Sequence, residues 1–302
     1  MPRRIAKPII LLGSGRSGTT LLGEIFSRHP DVAYWGEPRP IWMYGHAYRS
    51  HHELSAADLT PAIARHIDRC FARFQARRNR SRFAEKTPSN CLRLPFIAAL
   101  YPDCRVINVI RDGREVVAST LRMQAGPPRL DRVLARVVET PLWEWPAYVP
   151  LFFQTAWRTG VLKQRSTYWG VKPAGWKQWT GLPSHILAAH QWKRVVEISI
   201  RDGRALPAEN YLEIRFAKLI AEPVETMREM AAFAELSDAP AMLDYAAREV
   251  DASQAKTSVR DLTDHQVREI EDAMNPLLAE LGFPDRWGDE PNNTCKTGVV
   301  SA

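Results

Sequence analysis

The sequence predicts an α/β protein of three layers, a central parallel sheet covered by helices on both faces. Short apolar runs such as Ile9–Leu12 and Arg105–Ile110 alternate with longer segments whose apolar residues recur every three or four positions. The 302 residues are 45% apolar and 25% charged, enough for one large core without staples. No stretch approaches the twenty or so apolar residues of a membrane span, and the basic start, with its short apolar run Ile9–Leu12, does not make a signal peptide. A single domain over 1–290 in the cytoplasm is expected.

Taken in order, Ile9–Leu12 reads as a buried strand that runs into the loop Gly13–Thr20. Leu21, Leu22, Ile25 and Phe26 then follow at helical spacing until His29 and Pro30 stop them. A short strand precedes Glu37. Leu59, Ile63, Ile67, Cys70, Phe71 and Phe74 make an amphipathic helix over Ser55–Phe74. Arg82–Ala84 and Arg105–Ile110 are strands, the second followed by a helix from Gly113 to about Met123. Tyr211–Ile214 adds a strand, with helices at about Pro223–Phe233, Pro240–Val250 and Thr263–Leu281.

Between positions 124 and 192 the texture changes. Seven of the ten tryptophans and seven prolines fall there, and no clean period survives. The stretch reads as an insertion that wraps the sheet and shapes an acceptor pocket. Residues 291–302 read as a disordered tail.

Lys plus Arg outnumber Asp plus Glu by 41 to 34, a net charge of +7. That surplus suits an anionic ligand, but there is no run of like charge of the kind that marks a nucleic-acid tail. The four cysteines are scattered without a C-x-x-C pair, which implies neither a disulfide framework nor a zinc site.

The chemistry concentrates in two turns. In the first, Gly13-Ser14-Gly15-Arg16-Ser17-Gly18-Thr19-Thr20 joins a strand to a helix. That geometry points backbone N–H groups and the helix's positive end at a phosphate. The fold is therefore P-loop-like, but Thr19 stands where an ATP-binding loop needs lysine, and the cation has moved to Arg16. A loop so built does not suit ATP and magnesium. In the second turn, Val109-Ile110-Arg111-Asp112-Gly113-Arg114 leads from strand to helix. Arg111 falls at the strand's carboxyl end and Ser119 about two turns into the helix, where a guanidinium and a hydroxyl can hold another phosphate. The two turns together predict a ligand with two separated phosphates.

These residues carry a resemblance. G-S-G-R-S-G-T-T-L-L, His29-Pro30-Asp31-Val32, Gly36-Glu37-Pro38 and V-I-R-D-G-R-E-V-V-A-S are similar to the PAPS-dependent sulfotransferases, in particular the carbohydrate and tyrosylprotein enzymes and their bacterial relatives. The resemblance covers about Ile9–Glu37, Phe83–Pro88 and Val106–Thr120, and more loosely Tyr211–Phe233. It implies that Arg16, Ser17, Gly18, Thr19 and Thr20 cradle the 5′-phosphosulfate of 3′-phosphoadenosine 5′-phosphosulfate (PAPS), with Arg16 on the leaving phosphate. Arg111 and Ser119 would bind the 3′-phosphate, and the product would be 3′,5′-phosphoadenosine (PAP). No metal is required. The tyrosylprotein enzymes have an arginine four residues after the serine, where this chain has Met123, and a tyrosine after the late strand, where it has Phe216. Lys256–Arg260 would close over the cofactor.

Transfer to a hydroxyl needs a base and a cation for the moving group. By the same resemblance Glu37 is the base, and Lys86 steadies the sulfuryl group. His46, His51, His52, His185 and His190 are alternative bases. The tryptophans suggest an acceptor with a face to stack on, a sugar, glycolipid or other small molecule, with tyrosyl or phenol sulfation as the alternative; Lys172, Lys177 and Arg158 could meet an acidic acceptor. A nucleotide-binding regulatory protein without catalysis is the rival from another class, and the oligomeric state is not legible.

Overall fold

Five parallel strands in the order β2-β3-β1-β4-β5 form the single sheet of the computed structural model, which describes residues 5–125, 170–250, 259–284 and 286–287. They are β1 (Ile9–Leu12), β2 (Val32–Gly36), β3 (Arg82–Lys86), β4 (Arg105–Ile110) and β5 (Tyr211–Arg215). β1 has no polar residue and is buried throughout, which suits the central position with a layer on each face. Its side chains alternate between the two layers. Ile10 and Leu12 join Phe83 and Val106 in one core, while Ile9 and Leu11 join Ala84, Ile107 and Val109 in the other.

The first core is covered by α2 (Arg39–Trp42), α3 (Pro61–Arg78), α4 (Leu94–Leu100) and α6 (Ser184–Arg204). The second is covered by α1 (Thr19–Phe26), α7 (Phe216–Ala221), α8 (Pro223–Phe233) and α9 (Pro240–Glu249). A third cluster joins α5 (Gly113–Ala125), α6, α10 (Asp264–Met274) and α11 (Leu277–Glu280) beyond β4. This is the three-layer, P-loop-like arrangement the sequence predicts. Among the described residues no helix is long and apolar enough to cross a membrane.

The chain leaves β1 toward β2 on one side and leaves β4 toward β5 on the other. The crevice between their carboxyl ends is thus the sheet's switch point, where open α/β sheets take ligands.

Among the elements that differ from expectation, three bear on how the helical layers pack. The helix expected from Ser55 starts at Pro61, after a 3₁₀ turn at Ala56–Asp58. Thr60 caps it by accepting from the Ile63 N–H, and proline at the first helical position has no N–H to leave unpaired. The helix expected over 263–281 is broken at Pro276 into α10 and α11. The third is α6, which begins inside the stretch read as irregular. It feeds two cores at once, Val195 and Ile198 on one side and Ala188, Trp192, Val196 and Ile200 on the other. Two apolar stripes blur the single period by which a helix is read. Residues 126–169, the tail from 291 and Lys256–Ser258 lie outside the described residues, so the expectations placed on them do too.

Candidate active site

Three basic residues reach the carboxyl edge of the sheet, one from the loop after β1, one from the end of β3 and one from just beyond β4. The first is Arg16. Its φ of 70° puts it in the left-handed region, which costs a non-glycine residue on the order of 1 kcal/mol and is found where the surroundings enforce it. The loop is tightened from within. Ser17 is fully buried, its N–H donates to the Ser14 carbonyl at 3.1 Å, and the two serine hydroxyls lie 2.6 Å apart. Ser17 thus shapes the loop from inside.

Gly18 has φ 83°, and a Cβ there would lie 2.3 Å from the Phe216 ring. Only glycine meets both conditions. Thr19 and Thr20 open α1, whose first N–H groups have no carbonyl of their own helix to reach and so present donors to an anion. The Thr19 side chain is buried against Gly13, whereas Thr20 is exposed at the crevice.

Lys86 ends β3. It is 3% exposed, and its Nζ donates to Glu37 Oε1 at 2.8 Å and to Thr20 Oγ1 at 3.1 Å. Glu37 follows β2, and its N–H donates to the Lys86 carbonyl at 2.8 Å, prolonging the β2–β3 ladder by one bond. It too is left-handed, with φ 57°. Pro38 then makes an inverse γ-turn (φ −72°, ψ 55°) in which the Arg39 N–H reaches the Glu37 carbonyl at 2.7 Å. The turn brings the Arg39 guanidinium 2.6 Å from Glu37 Oε2. Each carboxylate oxygen of Glu37 therefore meets a cation.

The opposite face of β3 carries a dry polar layer. Glu85 is fully buried and accepts from Thr87 Oγ1 at 2.8 Å and Asn90 Nδ2 at 2.6 Å. Burial pushes its carboxyl up to about 7. Arg93, also fully buried, is held by Ser89 through its hydroxyl at 2.9 Å and its carbonyl at 3.3 Å; burial pulls its guanidinium down to about 10.

Beyond β4, the side chain of Arg111 lies 4.4 Å over the Phe216 ring. Its Nε donates to Glu115 at 2.8 Å and its NH1 to the Arg16 carbonyl at 3.2 Å. The Arg16 side chain in turn donates through Nε to Ser119 Oγ at 3.1 Å. Arg114 takes no part. It is buried in ion pairs with Asp112 at 2.7 Å and Glu271 at 3.1 Å.

The structure thus brings Arg16, Thr20, Glu37 and Lys86 together with Arg111 and Ser119 through the phosphate loop. Sequence reasoning overlooked Arg39, two residues past Glu37, and the Glu85 layer. Phe216, set by resemblance at a cofactor-contacting tyrosine, packs between Gly18 and Arg111.

Four of the five alternative bases are engaged elsewhere. His46 Nε2 meets the Asp58 carbonyl at 3.1 Å, His185 pairs with Glu269 at 2.9 Å, and His190 stacks on Trp179. The buried, partnerless atoms include His51 Nδ1. Burial, reinforced by the positive charges of Arg93, Lys172 and Arg39, pushes His52 down to about 3, and its neutral ring accepts from the Lys172 N–H at 3.0 Å. Next to it Lys172 lies 4.9 Å over the Trp176 ring, and the Trp176 indole N–H donates to the Ser50 carbonyl at 2.7 Å. Residues 172–176 therefore dock on the loop at 50–53.

Comparison with known proteins agrees with this geometry. The model of a family described as the sulfotransferase family matches residues 8–148. A Caenorhabditis briggsae protein, named as a candidate protein-tyrosine sulfotransferase, is 31% identical over 128 residues, covering 37% of this chain and 42% of that protein. The chain thus spans about two fifths of the length of that relative. Among solved structures, the sulfotransferase domain from the curacin biosynthetic pathway superposes with a TM-score of 0.56 at 14% identity, covering 93% of this chain and 99% of that one. A sulfotransferase from Mycobacterium avium gives 0.53 at 12% identity, covering 93% and 78%. At such identities the structural likeness speaks for the fold. Residues 8–148, which hold both turns, thus match the sulfotransferase family, and the fold around them is that of solved sulfotransferases.

Proposed function

We propose that this protein moves the sulfuryl group of PAPS onto a hydroxyl of a sugar, glycolipid or other small-molecule acceptor and releases PAP. The observation that carries the reading is the Lys86 ammonium. It touches both the phosphate loop, through Thr20, and a carboxylate suited to act as base, Glu37. The cofactor supplies an activated sulfuryl group, and the chain supplies everything else.

The residues present fit such a cofactor. The N–H groups that open α1, the Thr20 hydroxyl and Lys86 form a donor set for the 5′-phosphosulfate. Arg111 and Ser119, on the other side of the switch point, suit the 3′-phosphate. Glu37 takes the acceptor's proton, a role worth about 10²–10⁴-fold in rate. The acceptor approaches from the side where Arg39, Lys172 and the Trp176 face lie, which favours a ring or an acidic group near the hydroxyl. A tyrosyl or phenolic hydroxyl is the second acceptor class, favoured by the name of the Caenorhabditis relative.

Melting curves with PAP, ATP and magnesium test the cofactor. PAP alone should raise the melting temperature, with EDTA making no difference. Stabilisation by ATP that depends on magnesium, or an ATPase activity abolished by EDTA, sinks the reading. Labelled PAPS offered with glycans, phenols and tyrosyl peptides then separates the acceptor classes.

A further inference from the structure

Arg111 and Arg114 stand three positions apart in one turn, and their contacts lead to different parts of the molecule. Arg111 is held by Phe216, Glu115 and the phosphate loop. Arg114 is 1% exposed, and its partners include residues near the end of the chain. Its Nη1 donates to Glu271 Oε1 at 3.1 Å and to the Pro284 carbonyl at 3.0 Å, and its guanidinium lies 5.3 Å from the centre of the Trp287 ring.

This clasp is closed from both sides. On the turn, Asp112 accepts the Arg114 N–H at 2.9 Å, which caps α5, and takes the guanidinium on both oxygens, from Nε at 3.0 Å and Nη2 at 2.7 Å. On α10, Glu271 is as buried as Arg114, and it accepts from Arg286 Nη1 at 2.9 Å and from the Trp287 N–H at 2.6 Å. The chain after α11 is tethered again at the end of β5. There Arg215 donates to the Leu281 carbonyl at 2.5 Å and lies 5.0 Å over the Phe283 ring. Helix α10 leaves the turn no slack, since a Cβ at Gly113 would stand 2.4 Å from Met274 Sδ.

We propose that Glu271 and Trp287 are positioning residues for the nucleotide, which act through Arg114 to hold the turn that aims Arg111 at the 3′-phosphate; the inference rests on the sulfotransferase reading. A buried guanidinium is stable only with its partners in place, and one deprived of them is driven toward water. Releasing Arg114 from Glu271 or Trp287 therefore pulls on a turn three residues from Arg111. A misplacement of about 1 Å at a site can cost on the order of 10²-fold. Within the clasp two cations, Arg114 and Arg286, face two carboxylates, Asp112 and Glu271. Its charges balance, so its effect on the nucleotide is one of position.

Calorimetric titration of the full chain with PAP and with adenosine 5′-phosphate, which lacks the 3′-phosphate, tests the assignment together with amide hydrogen exchange. The wild type should prefer PAP. Trp287→Ala should weaken PAP at least about five-fold and adenosine 5′-phosphate by less than about two-fold. Trp287→Phe should keep most of the preference, because a smaller ring still covers the guanidinium. Glu271→Gln, which leaves Arg114 one carboxylate, should act in the same direction as Trp287→Ala. Coupling between two places in a protein is reciprocal, so in the wild type PAP should slow exchange at Arg286 and Trp287 more than adenosine 5′-phosphate does. An unchanged preference in Trp287→Ala, or equal weakening of both nucleotides, would make the clasp structural only and overturn the proposal. Wild-type exchange at these amides that PAP leaves untouched would overturn it too, and that readout needs no variant to fold. A wild type that binds both nucleotides alike would instead bring down the sulfotransferase reading, and this inference with it.

Discussion

Lys86 Nζ lies 2.8 Å from Glu37 Oε1, joining the last residue of β3 to the residue that follows β2. The ammonium is almost completely buried, so water screens the pair weakly. A carboxylate held in this way is fixed in direction. It also cannot take a proton on Oε1 while Lys86 stays in place. Turning Lys86 from Glu37 toward a transferring sulfuryl group would free the base and supply the cation in one movement.

Glu37→Gln keeps the size and one acceptor oxygen while removing basicity. The expected outcome is a fall in kcat of about 10²–10⁴-fold with PAP affinity within roughly two-fold, because the residues proposed to hold the nucleotide lie on other loops. A pH–rate profile should lose its acidic limb. Near-full activity in this variant, with loss in His46→Ala or His190→Ala, would transfer the role to a histidine.

Arg39 holds the other carboxylate oxygen of Glu37. An opposite charge at that distance favours the ionised form, so removing it raises the pKa of the carboxylate. Arg39→Met should therefore move the acidic limb of the pH–rate profile to higher pH, with PAP affinity unchanged. Arg39 is partly exposed, so stability should change little. A profile that stays in place while the acceptor KM rises would make Arg39 an acceptor contact alone.

What was legible in the sequence was what is local. The phosphate loop lies between a four-residue apolar strand and a helix, and the Arg111 turn likewise, so spacing alone placed each at the carboxyl edge. Contacts that close over long separations were not legible. Glu37 and Lys86 stand 49 positions apart, and only the parallel register of β2 on β3, Gly36 against Lys86, makes them neighbours. Arg16 and Ser119 are farther apart still. Ser17 shows a different limit, since its place in the loop does not say that its hydroxyl turns inward to Ser14. Glu85 escaped notice because the strand is read as ending at Ala84, where an acidic residue reads as solvated, and only the folded core shows it buried.

Gly18→Ala should disturb both halves of the nucleotide site. The left-handed backbone costs an alanine about 1–2 kcal/mol, and the new Cβ would stand 2.3 Å from the Phe216 ring. The ring must move, and Arg111 stacks on it. Denaturant titration should show a loss larger than the backbone cost alone, and PAP affinity should fall too. In a Phe216→Ala background the same substitution should cost only the backbone portion. Equal costs in both backgrounds would mean the ring already has room to yield.

Glu85 should make stability depend on pH, and the sign follows from its burial. Its carboxyl is raised to about 7 in the folded protein, against an ordinary value of 4.5. Between those values the native state keeps a proton that the unfolded chain has released. Folding therefore takes up a proton in this window, and stability falls as pH rises through it, by at most about 1.4 kcal/mol per pH unit for one group. Hydrogen bonds from Thr87 and Asn90 and the charge of Arg93 favour the ionised carboxylate and keep the rise from being larger. Urea denaturation at pH 5 and pH 7.5 measures it in the wild type and in Glu85→Gln. The glutamine cannot titrate, and whatever it loses in hydrogen bonding to Thr87 and Asn90 it loses at both pH values. The wild type should lose stability relative to Glu85→Gln between the two conditions. Identical slopes would mean that Glu85 is ionised throughout and that Arg93 outweighs the cost of burial.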